Sequence, residues 1–168
     1  MPVTNLLKPE TKTWLDKSVQ SELFAHFLYS QIANELQRLG FFGAEKYFRN
    51  ESDDEYKHYH ILVNYYNDLG SVAKIPVLPT IEVAIMNIGD ALNKAYQTEL
   101  DLMRQYEDFY NEVEENDPVT SQFLLQFLLI QKNSVGDFMD FISRYEKCGN
   151  NEAAILDFDE MMEDNKKV

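Results

Sequence analysis

From Pro9 to Leu39 the chain contains no glycine and no further proline, and its apolar residues return every three or four positions. That period is one face of a helix, and a rod of this length holds its shape only by burying that face against others. The pattern recurs along the chain. A first helix is predicted over roughly Pro9 to Leu39, with proline at its start and Gly40 after its end. A second covers about Phe42 to Leu69 and stops at Gly70; a third covers about Val83 to Asn116. Pro118 opens a fourth that closes near Cys148-Gly149, and a short fifth spans about Glu152 to Glu163. Between the second and third lies "GSVAKIPVLPTIE", whose Pro76 and Pro79 no helix interior accepts. No repeat or low-complexity segment is visible, and the tail "EDNKKV" reads as frayed.

Connection lengths then restrict the topology. Helices one and two are joined by two or three residues, as are helices three and four, so each pair is antiparallel. The middle connection is longer. A helix the length of the second measures about 42 Å at ~1.5 Å per residue. Some 15 extended residues reach about 50 Å at ~3.3 Å each. The connection can therefore run the length of the bundle and leave helices two and three parallel. The fold class expected is all-α: a four-helix bundle with one long crossover and a short C-terminal fifth helix.

The chain's 168 residues suffice for one domain, 1–168, with a single sizeable core. A net charge of -14 leaves nothing to neutralise phosphates, so no nucleic-acid partner is expected. The acidic excess suits cations, or simply solubility. The one cysteine, Cys148, excludes an internal disulfide and fits a reducing compartment. "MPVTNLLKPE" lacks the features of a signal peptide. The most apolar run, Phe123 to Ile130, falls far short of the ~20 residues of a membrane span. A soluble, cytoplasmic protein with no membrane partner is expected.

The seams carry the functional information. Tracing each buried face gives Leu15, Val19, Glu22, His26, Tyr29, Ala33 and Leu36 on helix one. Helix two gives Phe48, Glu51, Glu55, His58, Leu62, Tyr65 and Leu69. On helix three Glu99 is the one charged residue in a line running from Ile85 to Val113, and Gln131 interrupts helix four between Phe127 and Ser134. These interruptions fall at similar depth in their helices, so the crossover topology brings Glu22, Glu55, His58, Glu99 and Gln131 together. Buried carboxylates that share a site repel and cost several kcal/mol each unless neutralised. The seams hold no Lys or Arg to do this. Glu55 and His58, at i and i+3, face one point and can grip one metal ion. Alone that pair is a weak signal; it gains force from matching residues on the other three helices. Oxygen donors with one imidazole and no thiolate suit iron or manganese rather than a structural zinc.

The sequence resembles the ferritins over essentially its whole length, most closely the bacterial non-haem type. The residues that carry the likeness are Glu22 in "QSELFAHFLY", Glu55 and His58 in "DDEYKH", Glu99 in "AYQTEL" and Gln131 in "LLIQKN". Tyr29, seven residues after Glu22, matches the family's tyrosine beside the diiron site. The resemblance implies a ferroxidase centre with two irons per subunit. Glu22, Glu55 and His58 would hold one, Glu99 and Gln131 the other, with Glu55 bridging. Fe(II) would be oxidised by dioxygen (or peroxide), and Fe(III) stored inside a homo-oligomeric shell of about 24 subunits. Tyr29 would hydrogen-bond a ligand, donate an electron, or simply pack the core.

The departures from the family pattern carry implications of their own. Helix four carries Gln131-Lys132-Asn133-Ser134 in place of a second Glu-x-x-His, which argues against a bacterioferritin or a peroxide-consuming relative. Tyr56 stands where a haem-ligating Met would sit, so no haem is expected. The places that build a third iron site in many bacterial ferritins hold Ile130, Ser134 and Val135, leaving Asp54 and Glu51 as remnants. His26 reads as a transient ligand or a hydrogen-bonded interior His, and His60 as surface. The acidic Asn111–Asp117 segment reads as an iron-uptake pore or a solvated helix end, and Trp14 as a core or subunit contact. Three functions remain distinct: an iron-storing ferroxidase, a different diiron oxidoreductase, and a non-catalytic shell subunit. A DNA-protecting mini-ferritin is opposed by the fifth helix and the acidity.

Overall fold

The computed structural model describes residues 4–164. It contains α1 (Pro9–Leu39), α2 (Phe42–Asp68), α3 (Ile88–Val113), α4 (Pro118–Glu146) and α5 (Glu152–Asp164), with no strand among the described residues. None of these helices is long and apolar enough to cross a membrane. The all-α bundle with a long crossover and short fifth helix is the expected architecture. Of the tail read as frayed, residues 165–168 lie outside the described residues, as do residues 1–3 of the N-terminal stretch.

The sequence places the start of α3 near Val83, but the helix begins at Ile88. The cause is a reciprocal cap. The Asn87 side chain accepts from the Asp90 N–H at 2.9 Å, and the Asp90 carboxylate accepts from the Met86 N–H at 2.9 Å. Ile85 is nevertheless buried, so an apolar position in the approach to the helix continues the seam without being helical. At the other end of the bundle Asp117 caps α4. It accepts from the Thr120 N–H and hydroxyl, and also from Thr11 of α1 at 2.6 Å, which ties the α3–α4 turn to the first helix.

The crossover lies against the outside of α1, where Gln20 Nε2 donates to the Val77 carbonyl at 2.6 Å. Links between α1 and α3 run in opposite order along the two chains: Glu22 meets Tyr106, and Tyr29, further along α1, meets the earlier Glu99. These helices are therefore antiparallel, as the short α1–α2 link and the long crossover require. The core divides into two apolar clusters. One gathers Leu28, Ile32, Leu36, Phe48, Leu92 and Phe138 with α5's Phe158 and Met162. The other gathers Leu15, Val19, Leu62, Phe109, Leu124 and Phe127. Glu22, Glu55, Glu99 and Gln131 belong to neither cluster; the last three fall between the two along their helices, and Glu22 sits at the inner edge of the second, between Val19 and Leu23.

No side chain within α2 or its own approach caps that helix. The cap comes from α5, whose buried Asp159 accepts from the Gly43 and Ala44 N–H groups at 3.2 and 2.8 Å. The fifth helix is thereby locked to the second. Asp159→Ala is expected to lower stability by about 1–2 kcal/mol, the usual worth of a cap. Gly43→Ala should do worse, because its Cβ would stand 1.9 Å from the Asp159 carbonyl oxygen and force α5 off. Denaturant melts and proteolysis between α4 and α5 would read both; a Gly43→Ala protein with an unaltered cleavage pattern would contradict this account.

Candidate metal centre

All the seam interruptions are buried. Glu22, Glu99 and Gln131 are 0% exposed, and Glu55 is 2% exposed. His58 is the partial exception, with 14% of its side chain exposed. An oxygen of Glu22, an oxygen of Glu55 and a ring nitrogen of His58 all lie within 4.8 Å of one another. Among the described residues no other trio of acidic, His or Cys side chains meets so closely. His58 Nδ1 stands 3.4 Å from Glu55 Oε2 and 3.6 Å from Glu22 Oε2. Glu99 is outside that trio, but its charge bears directly on both Glu55 and His58. Its Oε1 accepts from the Tyr29 hydroxyl at 2.5 Å.

Gln131 has neither its amide nitrogen nor its oxygen in a hydrogen bond, and Glu22 Oε2 likewise makes none. An orphaned buried polar atom costs about 1–3 kcal/mol. Polar atoms left so in an apolar bundle are what an ion-binding site requires before its ion arrives. The donor set of carboxylates, one imidazole and one amide fits iron.

The neighbouring carboxylates are driven in opposite directions. Burial raises the Glu22 carboxyl, but the close approach of His58 and Glu55, the His58 charge and the Tyr106 hydroxyl together hold it below its ordinary 4.5. Glu55 is pushed well above that value by burial first, then by the charges of Glu99 and Glu22. Burial opposes protonation of His58, yet the nearby Glu22 carboxylate and the surrounding acidic charges raise it overall. Tyr29 and Tyr106 are raised strongly by burial and by the nearby Glu charges, so both stay neutral hydroxyl donors.

Tyr106, Glu51 and Tyr47 stand out in the structure though the sequence drew little attention to them. Tyr106, also 0% exposed, donates its hydroxyl to Glu22 Oε1. The signal was present: Tyr106 follows Glu99 by seven residues, as Tyr29 follows Glu22. Glu51 is buried one turn before Glu55, and its charge bears on Glu55, Tyr29 and Tyr47. A groove of about 870 Å³ between α2 and α4 reaches the centre, lined among others by Asp54, Glu55, His58, Ser134, Asp137 and Asp140.

Other sequence candidates lie apart. His26 is engaged with Ser52, its Nδ1 standing 2.8 Å from the Ser52 carbonyl and 2.9 Å from its hydroxyl, which fits the hydrogen-bonded reading. Tyr65 and Leu69, placed on the α2 seam, are only half-buried, and Tyr59 and Tyr66 are buried instead. His60 and Tyr56 are exposed, and the acidic segment after Val113 is exposed up to Asp117, which is occupied as a cap.

The Glu55 shift has a thermodynamic consequence for metal-free protein. A carboxyl whose folded pKa is raised contributes stability below its unfolded value and loses it as pH climbs through the folded value. Glu55 therefore erodes stability from about pH 4.5 upward. Metal-free Glu55→Gln should melt higher than the parent at pH 7, with the difference shrinking toward pH 4.5. An equal or lower melting point at pH 7 would mean that the carboxylates do not repel as argued.

A family model for the Ferritin-like domain matches residues 13–148. A ferritin from Pacifastacus leniusculus is 27% identical over 143 residues, which is 80% of this chain and 77% of that protein. An open pore ferritin from the hyperthermophilic archaeon Archaeoglobus fulgidus superposes with a TM-score of 0.91 over 95% of this chain and 99% of that one, at 16% identity. A closed form of the same ferritin, engineered by site-directed mutagenesis, gives 0.91 over 96% and 99%, again at 16%. At that identity the likeness speaks for the fold, while the family model spans most of the chain. The chain belongs to the ferritin family.

Proposed function

We propose that this chain, acting over 1–168 as one ferritin-like diiron domain, is a ferroxidase that oxidises Fe(II) and stores the product. Glu22, Glu55 and His58 hold one Fe(II); Glu99 and Gln131 hold the second; Glu55 bridges. Each iron gives one electron to dioxygen, and the two electrons with two protons yield two Fe(III) and hydrogen peroxide. Iron here is the substrate. Carboxylate oxygens favour the more highly charged Fe(III), which makes oxidation downhill, and so few protein ligands leave positions open to oxygen. Tyr29, by holding Glu99, keeps a ligand of the second iron in place. The Fe(III) passes into the interior of a homo-oligomeric shell, about 24 subunits, in the cytoplasm. Neither haem nor nucleic acid has a role.

The observations that support this reading are the meeting of Glu22, Glu55 and His58 within 4.8 Å and, on α4, the buried, unpartnered amide of Gln131. A peroxide-consuming diiron enzyme is the nearest rival. Ser134, where a second Glu-x-x-His would place its imidazole, counts against it.

Anaerobic titration should find two Fe(II) per chain, and admission of oxygen should give a fast absorbance rise. Glu99→Ala is expected to abolish that fast phase while the assembly still elutes near half a megadalton, on the order of 24 × 20 kDa. Glu55→Ala should impair both irons, whereas Gln131→Ala should mainly weaken one. An unchanged fast phase in Glu99→Ala would refute the ligand assignment.

A further inference from the structure

The groove between α2 and α4 does not end at the centre. From Glu55 and His58 it continues past Ser134 to Tyr47, Asp137 and Asp140. The two helices run in opposite directions: the His58 ring meets Phe127, whereas the earlier Tyr47 meets the later Phe141. Going back along α2 from Glu55 and forward along α4 from Gln131 therefore leads the same way. On α2 the residues met at four-residue steps are Glu51 and Tyr47, each about 6 Å further along the axis at ~1.5 Å per residue and on the same face. Nearer oxygens are few. The Ile130 and Val135 side chains offer none, Ser134 offers one neutral hydroxyl, and the Asp54 carboxylate is held by Lys57 at 2.7 Å.

Tyr47 is the group that packing does not explain. It is 3% exposed, and Phe48, Phe138 and Phe141 meet its ring edge-on at 5.8, 6.1 and 5.1 Å between centroids. Its buried hydroxyl makes no hydrogen bond, whereas those of Tyr29 and Tyr106 are both engaged by glutamates. Leaving such an atom bare costs about 1–3 kcal/mol, which a phenylalanine would avoid. Burial first, then the charges of Glu51 and Asp137, push its ionisation well up. The phenol thus gives up its proton only to a strongly charged cation.

We propose that Tyr47, Glu51 and Asp137 form a receiving site for Fe(III) in the groove beyond the diiron centre, with Tyr47 binding as its phenolate. The inference rests on the ferroxidase reading above for the source of its Fe(III). In the binding step the Tyr47 O–H bond breaks, an O–Fe(III) bond forms and one proton leaves through the groove; no electron moves. Tyrosine oxygen is an established ligand type for protein-bound iron. The phenolate and the two carboxylates bring three negative charges to a trivalent ion, so the filled site is neutral. Fe(II), one charge short, gains too little to ionise a phenol in these surroundings. The site therefore takes the product of the centre and not its substrate.

The test uses metal-free, assembled protein and reads visible absorption, because phenolate bound to Fe(III) gives a charge-transfer band that carboxylates do not. Two Fe(II) per chain followed by oxygen should give the fast phase and then, more slowly, this band. Fe(III) offered directly as its nitrilotriacetate complex should give the same band with no oxidation step. Tyr47→Phe should lose the band in both arms, and Tyr29→Phe should keep it. Asp137→Asn, at a half-buried position, should weaken it while the Tyr47 ring stays packed. A band that survives Tyr47→Phe, or one that the parent protein shows in neither arm, would overturn the inference. So would a band from the ferric complex alone when Fe(II) is nonetheless oxidised fast, because the product would then leave by another route. A Tyr47-dependent band from the ferric complex, with no fast phase from Fe(II), would instead overturn the ferroxidase reading and leave the ferric site standing.

Discussion

Like charge buried in an apolar interior is the constraint on which this structure turns. Glu22, Glu51, Glu55 and Glu99 are all essentially inaccessible, in helices whose seams are otherwise apolar. Each buried carboxylate left unpaired costs several kcal/mol, against a net stability of about 5–15 kcal/mol for a whole domain. Among the described residues the Lys and Arg ion pairs, such as Lys12–Asp16, Lys46–Glu163 and Lys57–Asp54, lie on the outside. His58 and the Tyr106 hydroxyl hold the Glu22 carboxyl down, whereas burial and the charges of Glu99 and Glu22 push Glu55 up. The polarity that folding must tolerate here is the same polarity that a bound cation would relieve.

A charged layer of this kind is tolerable because packed apolar clusters stand on either side of it. Leu36, Phe48 and Phe138 fill one end of the bundle, and Leu15, Phe109 and Phe127 fill the other. The helix ends are then fixed by polar contacts that do not depend on the core. Asp117 joins the α3–α4 turn to α1, Asn87 and Asp90 set the start of α3, and Asp159 brings α5 onto the start of α2. These caps matter for function through register. A helix displaced by one residue turns its side chains by about 100° and moves them ~1.5 Å, enough to carry a glutamate out of reach of its partners. The precision of the site is therefore settled partly at the ends of the rods, far from any ligand.

The sequence made legible what depends on the period of a single helix. Glu99 could be read as a site residue because it alone breaks an apolar line, and Gln131 because an amide interrupts the corresponding line in α4. Contacts between helices were less visible. Tyr106 sat in the seam as one more large residue, since the period says that a side chain faces inward and nothing about what its hydroxyl meets. Only after the antiparallel pairing of α1 and α3 is known does the shared seven-residue spacing acquire meaning. Asp159 was hidden for a different reason. An acidic residue in a short amphipathic helix looks solvated, and its partners are backbone N–H groups of Gly43 and Ala44, which leave no side-chain signature. The start of α3 was misplaced because buried Ile85 extends the apolar pattern into a segment whose backbone is not helical.

The symmetry of the centre is incomplete, and the point where it fails is informative. Helices α1 and α3 contribute the same Glu-x₆-Tyr unit, whereas α2 contributes Glu55-x-x-His58 and α4 contributes Gln131-x-x-Ser134. Under the proposed assignment, one iron has two carboxylates and an imidazole, and the other has Glu99, a share of Glu55 and a neutral amide. An amide carries no net charge and gains less than a carboxylate as the ion passes from Fe(II) to Fe(III), so the second position retains its product less firmly. A pair of equally strong sites would suit a resident cofactor that must never leave. A storage protein needs the opposite property, since each oxidised ion must clear the centre before the next can be accepted. Replacing charge with an amide on a single helix meets that need while leaving the clamped carboxylates of α1 and α3 untouched.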